Sequence, residues 1–215
     1  MKYLILPLIF FFQFSYAVEE EITNWFYQES EKFLEIMNNS DGQNNENYDD
    51  YVKFVEKNFA VKSIAYGLIP ESILSKSNNS DLKNYEISFQ NYLTKTIYNL
   101  SNNTNSGEIK LIDIDLKDNI YQISSKIIEG RDSINLYWKV ASINSSFKIL
   151  DVIVENTSYF VTKKSEFSKI LRRHRGDLVK LTEEINKIWF LVGPAGLEPA
   201  TTALWAPRSN QLNYR

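Results

Sequence analysis

Apolar and polar residues alternate along this chain with two periods, and the change from one to the other falls near its middle. From Val18 to Met37 the apolar residues Ile22, Trp25, Phe26, Phe33, Leu34 and Met37 recur at three- and four-residue spacing, which predicts an amphipathic helix. Glu19, Glu20 and Glu21 stand at its start, where negative charge favours the helix dipole. After a polar loop over Asn38–Asn47, Tyr51, Phe54, Val55 and Phe59 predict a second helix over Tyr48–Phe59. Val61–Leu68 gives a third, ended by Gly67 and Pro70. Ser77–Ser80 reads as another loop. Asp81 then caps a long helix to Leu100, with Tyr85, Phe89, Tyr92, Leu93, Ile97 and Leu100 on one stripe.

Beyond Asn102–Gly107 the period becomes two. Four strands are predicted: Glu108–Leu116, Ile120–Ile128, Ser133–Ala141 and Phe147–Val154. Short polar turns join them, so they form an antiparallel meander. The third strand puts Ile134, Leu136, Trp138 and Val140 on one side and Asn135, Tyr137 and Lys139 on the other. The fourth is apolar on both: Phe147, Ile149 and Ile153 against Leu150, Val152 and Val154, which places it centrally in the sheet. Asn156-Thr157-Ser158 breaks the run, and helical spacing returns through Phe160, Phe167, Ile170, Leu171, Leu178, Leu181, Ile185 and Ile188. Gly176 separates two C-terminal helices, with Arg172, Arg173 and Arg175 before it. The class is α+β: N-terminal helices, a four-stranded antiparallel curved sheet, then C-terminal helices.

The two ends of the chain change this picture. Residues 1–17 have the form of a secretory signal peptide: Lys2, an apolar core over Tyr3–Phe14, and Ser15-Tyr16-Ala17 as small residues before the cut. The alternative is an uncleaved anchor, for which the apolar run is short of the ~20 residues a span needs. Residues 18–188 make the folded domain. Residues 189–215 carry Pro and Gly with no usable periodicity, and GLEPATTAL…RSNQLNY looks like peptides that arise when a reading frame runs antisense through a transfer-RNA gene. This tail is expected to be non-native read-through; a real but disordered tail is the alternative.

Charge and chemistry exclude more than they suggest. With 24 basic and 27 acidic residues and no long basic run, nucleic acid is not the expected partner. There is no cysteine, hence no disulfide, thiolate metal site or thiol nucleophile. No phosphate-loop, zinc-protease or nucleophile-elbow motif is present. His174, the single histidine, lies among Arg172, Arg173 and Arg175, whose charges disfavour its protonated form and suit a helix end better than a general base. Asp113 and Asp115 share a strand face near Asp118 and read as hydrated edge charges. Asp151 inside the apolar fourth strand needs buried donors and reads as a structural anchor.

The stretch Phe147–Leu181 also carries a resemblance. Phe147-Lys148, then Asp151-Val152-Ile153-Val154-Glu155, then Phe160-Val161 with Glu166-Phe167, then Ile170-Leu171-Arg172, Gly176 and Leu178 with Leu181 are similar to the C-terminal half of the Mla periplasmic phospholipid carriers, the MlaC-like or toluene-tolerance auxiliary proteins. The likeness extends over roughly residues 20–188. One departure is Asn156, where that family usually has Gly; Asn tolerates left-handed backbone nearly as well.

The resemblance implies a cone-like fold around a deep apolar cavity. It implies a monomeric periplasmic carrier of phospholipid, without cofactor, metal or catalytic residues. Such a carrier works between an inner-membrane ABC transporter complex and an outer-membrane lipoprotein–porin complex, and maintains outer-membrane lipid asymmetry. Ile112, Ile114, Leu136, Trp138, Val140, Leu150, Val152 and Val154 would line the cavity from the sheet. Tyr66, Leu93, Ile97, Phe160 and Phe167 would close it from the helices. The spacing of these residues fits an ordinary packed core equally well. Two other readings stay open: a secreted cone-fold enzyme acting on a small apolar substrate, with Asp151 or the Asp113/Asp115 pair as base, and a periplasmic chaperone or adaptor without a cavity.

Overall fold

The computed structural model describes residues 6–38, 48–101 and 107–191. The loop expected over Asn38–Asn47 and the tail beyond residue 191 therefore lie largely outside the described residues. Seven helices and five strands are described: α1 (Leu6–Asn38), α2 (Tyr48–Asn58), α3 (Val61–Gly67), α4 (Glu71–Leu74), α5 (Asn79–Ser101), β1 (Glu108–Lys117), β2 (Ile120–Glu129), β3 (Asp132–Ile143), β4 (Ser146–Val154), β5 (Thr157–Ser158), α6 (Tyr159–Arg173) and α7 (Leu178–Leu191). Helix α1 starts well before Val18, within the expected signal peptide. The one-turn α4, directly after Pro70, has no apolar period to announce it.

The strands form one antiparallel sheet in the order β1-β2-β3-β4-β5. The expectation of four strands is corrected to five, because Thr157-Ser158 turns back and pairs with Ile153 and Val154. Two-residue turns join the strands. Asp118-Asn119, Asn144-Ser145 and Glu155-Asn156 hold both residues at positive φ, the mirror-image turn that suits the right-handed strand twist. Asn156, at φ 68°, thus adopts the left-handed backbone anticipated where a glycine would be easiest. Glu155 ties its turn to the neighbouring strand, its Oε1 accepting the Asn135 N–H at 2.8 Å.

Two β-bulges change which side chains face inward. In β4, Ile149 pairs with Val140 but Asp151 with Lys139, so Leu150 is the extra residue. Past the bulge the alternation inverts. Ile149 before it and Val152 and Val154 after it all share the β3 face that carries Val140, Trp138 and Leu136. The two-faced apolar pattern of this strand is thus one buried face with a phase shift. In β1 the ladder skips Ile112, which is 55% exposed. The straight alternation that put Ile112 beside Ile114 on the inner face is corrected accordingly.

The same bulge turns Asp151 to the opposite face, where it anchors α6. Ser158 Oγ donates to Asp151 Oδ2 at 2.7 Å and accepts the Val161 N–H at 3.0 Å, while Phe160 N–H donates to Asp151 Oδ1 at 3.0 Å. The buried carboxylate and the Ser158 cap thereby satisfy the first free amides of the helix. Helix α5 is capped one turn earlier than expected. Asn78 Oδ1 accepts the Asp81 N–H at 2.8 Å, an N-cap bond, and Asn78 Nδ2 donates to Asp81 Oδ2 at 2.9 Å, so the two side chains also pair. Asp177 caps α7 through the amides of Val179 and Lys180.

The core lies between the inner sheet face and the helices. Tyr85, Phe89 and Phe167 are fully buried, as are Leu181 and Ile185 of α7. Where α2 gives way to α3, Ala60 N–H donates to Ile149 O at 3.0 Å, so this connection covers the side of β4 that β5 is too short to reach. Lys148 closes the joint by donating to the last carbonyls of α2, at Glu56 and Lys57. Asn156→Gly is expected to leave the urea midpoint unchanged or slightly raised. Asn156→Val should lower stability by about 1–2 kcal/mol, because a β-branched residue resists left-handed backbone.

Candidate functional site

A cavity of about 150 Å³ opens between α1, α5 and the inner sheet face. Helix α1 supplies Trp25, Phe26, Glu29, Ser30, Phe33, Leu34 and Met37. Phe54 and Phe59 add the α2 side, and Leu93, Thr96, Ile97 and Ser101 the α5 side. The sheet contributes Ile109, Ile127, Leu136, Trp138, Val140, Ile149 and Val152, with Gly107 before β1 and Tyr159 at the start of α6. The accessible lining is almost entirely carbon. Such a surface gives no purchase to a charged or strongly polar ligand and favours hydrocarbon.

Of the residues expected to line a cavity, six meet here: Leu93, Ile97, Leu136, Trp138, Val140 and Val152. The others are placed elsewhere. Leu150 and Ile112 are the two bulge residues. Val154 is buried opposite Leu136, and Ile114 packs at the margin of the core beyond the β1 bulge. Phe167 is buried edge-on against Phe89 and Tyr92, with ring centroids 6.3 and 6.2 Å away. The Phe160 ring covers Gly67 so closely that a Cβ there would come within 3.1 Å of it. Tyr66 lies half-buried beneath Lys62. The carboxylates considered as bases lie outside the lining: Asp113 and Asp115 are exposed, and Asp151 is bound into the α6 anchor.

The α1 wall was the part that spacing did not assign to the site. A signal for it is present, because Glu29 and Ser30 interrupt the helix stripe one turn after Trp25 and Phe26 and one turn before Phe33 and Leu34. A carboxylate within an apolar stripe needs buried partners, and Glu29 has them: Asn58 Nδ2 donates to its Oε2 at 2.8 Å and Lys57 to its Oε1. Across the cavity Trp138 Nε1 donates to Ser125 Oγ at 2.8 Å, leaving the indole's carbon face toward the space. Phe26 meets that indole edge-on at 6.3 Å, and Trp25 meets Phe147 at 5.6 Å.

Behind the Tyr159 ring lies a polar layer. Lys163, only 3% exposed, places its ammonium 5.4 Å from the Tyr92 ring and 5.6 Å from the Tyr159 ring, and pairs with Glu166 at 2.8 Å. Burial by itself would lower the Lys163 pKa; Tyr92 and Glu166 outweigh it and the net shift is upward. Burial pushes the Tyr159 phenol well above its ordinary range, and Tyr92 adds to the shift. Burial does the same to Tyr85, whose hydroxyl donates to Ala65 O at 2.8 Å.

Residues 28–187 match the family model described as MlaC protein. The chain belongs to the MlaC family. Among solved structures it is similar to a phospholipid-binding protein from Ralstonia solanacearum, determined in complex with a phospholipid. That similarity has a TM-score of 0.65 at 13% identity and covers 76% of this chain and 94% of the other. No curated protein matches the sequence. At so low an identity the structural match establishes the MlaC-like α+β fold. Among the described residues, no helix is long and apolar enough to cross a membrane.

Two outcomes are expected here. Glu29→Ala should cost about 1–3 kcal/mol in urea unfolding, since it strands the buried Asn58 amide, whereas Glu29→Gln should retain most of the stability. The raised phenols of Tyr85 and Tyr159 keep their protons in the fold after the unfolded chain has lost them. Their contribution is therefore present below pH ~10 and lost as pH rises through the folded values. The urea midpoint should fall above that point, and Tyr85→Phe should flatten the fall while costing about 1 kcal/mol at neutral pH.

Proposed function

We infer that this chain is a periplasmic phospholipid-binding shuttle. It passes lipid between an inner-membrane ABC transporter complex and an outer-membrane lipoprotein–porin complex, and so maintains the lipid asymmetry of the outer membrane. The observation that carries this reading is the carbon-lined cavity between α1, α5 and the sheet, in a chain of the MlaC family. The phospholipid held by the similar Ralstonia solanacearum protein supports the ligand class. In this reading residues 1–17 are removed on export, residues 18–188 form a monomeric carrier, and residues 189–215 take no part.

Acyl chains suit the site because each buried methylene contributes roughly 0.8 kcal/mol, while Leu93, Ile97, Leu136 and Val152 offer no hydrogen bond for a polar competitor. Lipid entry requires expansion. The cavity's 150 Å³ is below the roughly 300–1,000 Å³ of ordinary small-molecule sites. Helix α1 is the wall suited to move. It meets the sheet through rings such as Trp25 on Phe147 and Phe26 on Trp138, whereas the opposite wall is a hydrogen-bonded ladder.

Native mass spectrometry of the purified protein, followed by lipid extraction, tests this. The expected result is a mature chain beginning at Val18 that carries a single phospholipid. Ile97→Trp should fill the cavity and abolish that mass increment with little change in thermal melting. A wild-type chain that stays free of lipid after incubation with phospholipid vesicles would return the cavity to the status of a packing defect.

A further inference from the structure

The outer face of α6 is basic on a protein that is acidic overall, with a net charge of −3. Its inner face, formed by Phe167, Ile170 and Leu171, is buried in the core. Val161, Lys164, Ser165, Ser168, Lys169 and Arg172 share the outer arc, and Arg173 and Arg175 continue the charge to the end of the helix and past it. Lys164, Lys169, Arg172, Arg173 and Arg175 are exposed, and among the described residues none makes an ion pair. Among the described residues some surface lysines are matched one turn away, Lys53 with Asp50, Lys83 with Glu86, Lys180 with Glu183 and Lys187 with Glu184, while others such as Lys32, Lys62 and Lys110 also make no ion pair; α6 differs in clustering five such cations along one helix and its end. The one acid on α6, Glu166, is held by buried Lys163, and Asp177 beyond Gly176 is engaged by the first amides of α7.

We propose that this face is a docking surface for an anionic phospholipid bilayer. Cations spread along the exposed face of α6, whose one acid is paired with Lys163, match a laterally uniform negative surface better than a protein patch, which would present discrete partners and shape. Val161, 64% exposed at the start of the same arc, supplies an apolar side chain at the level where lipid headgroups meet acyl chains. The acidic remainder of the protein does not forbid the approach, because charges beyond a Debye length of ~8 Å are largely screened at physiological salt.

The test is sedimentation of the full chain with phosphatidylcholine vesicles prepared with and without phosphatidylglycerol, over a range of salt. Wild type should bind the anionic vesicles in preference to the neutral ones and lose that preference as salt rises. Lys169→Glu/Arg172→Glu should weaken anionic binding about tenfold or more, and Lys169→Gln/Arg172→Gln should weaken it less. Lys180→Glu/Lys187→Glu on α7, with the same change in net charge, should leave it near wild type. Equal binding to both vesicle types, or equal loss in the α6 and α7 variants, overturns the proposal. So does retention on a polyglutamate column that depends on Lys169 and Arg172 while vesicles are ignored, which would assign the face to an acidic protein. Lipid uptake from neutral vesicles reports the carrier reading separately, so the two ideas fail independently.

Discussion

One extra residue in β4 sets the arrangement of everything around it. If Leu150 were paired as an ordinary strand residue, β4 would keep a strict period of two, and Ile149 and Val152 would face opposite sides of the sheet. With it, both reach the cavity, and Asp151 between them turns outward to receive Ser158 and the Phe160 amide. The sheet wall, the short β5 and the starting point of α6 therefore depend on a single phase shift.

The cavity exists because its two walls are built by different means. The strands are fixed by backbone hydrogen bonds and cannot close further without breaking their ladder. Helix α1 approaches through bulky rings, and Trp25, Phe26 and Phe33 act as spacers as much as glue. Glu29 sets a limit on that approach: bound to Asn58 and Lys57, it holds the middle of the helix against α2 and not deeper into the apolar space. Ordinary cores are packed densely enough to exclude such voids.

Much of this was legible in the chain. The switch of period near Gly107 gave the layers, and the Asp/Asn/Ser pairs gave the tight turns, including the left-handed Asn156. What spacing could not give was phase. A bulge leaves no fixed residue signature, so β1 and β4 read as straight strands, and straight alternation puts Ile112 and Leu150 in a cavity lining to which neither contributes. Capping likewise shifted by one turn, because Asn78 and Asp81 are both competent caps and only their reciprocal bonds show which residue leads. The α1 wall was visible as a helix stripe. Nothing in an apolar stripe alone says whether it seals a core or stands off from one.

The bulge at Ile112 has a bearing on how the protein behaves at high concentration. Strand β1 ends the sheet, and a sheet's last strand offers unpaired backbone groups to any passing segment. Here the ladder is kinked at Ile112, and Lys110, Asp113, Asp115 and Lys117 set charges of both signs along it. A second chain seeking to extend the sheet would have to match that kink and bury those charges. The irregularity that removes Ile112 from the interior thereby guards the sheet against growing into a fibre.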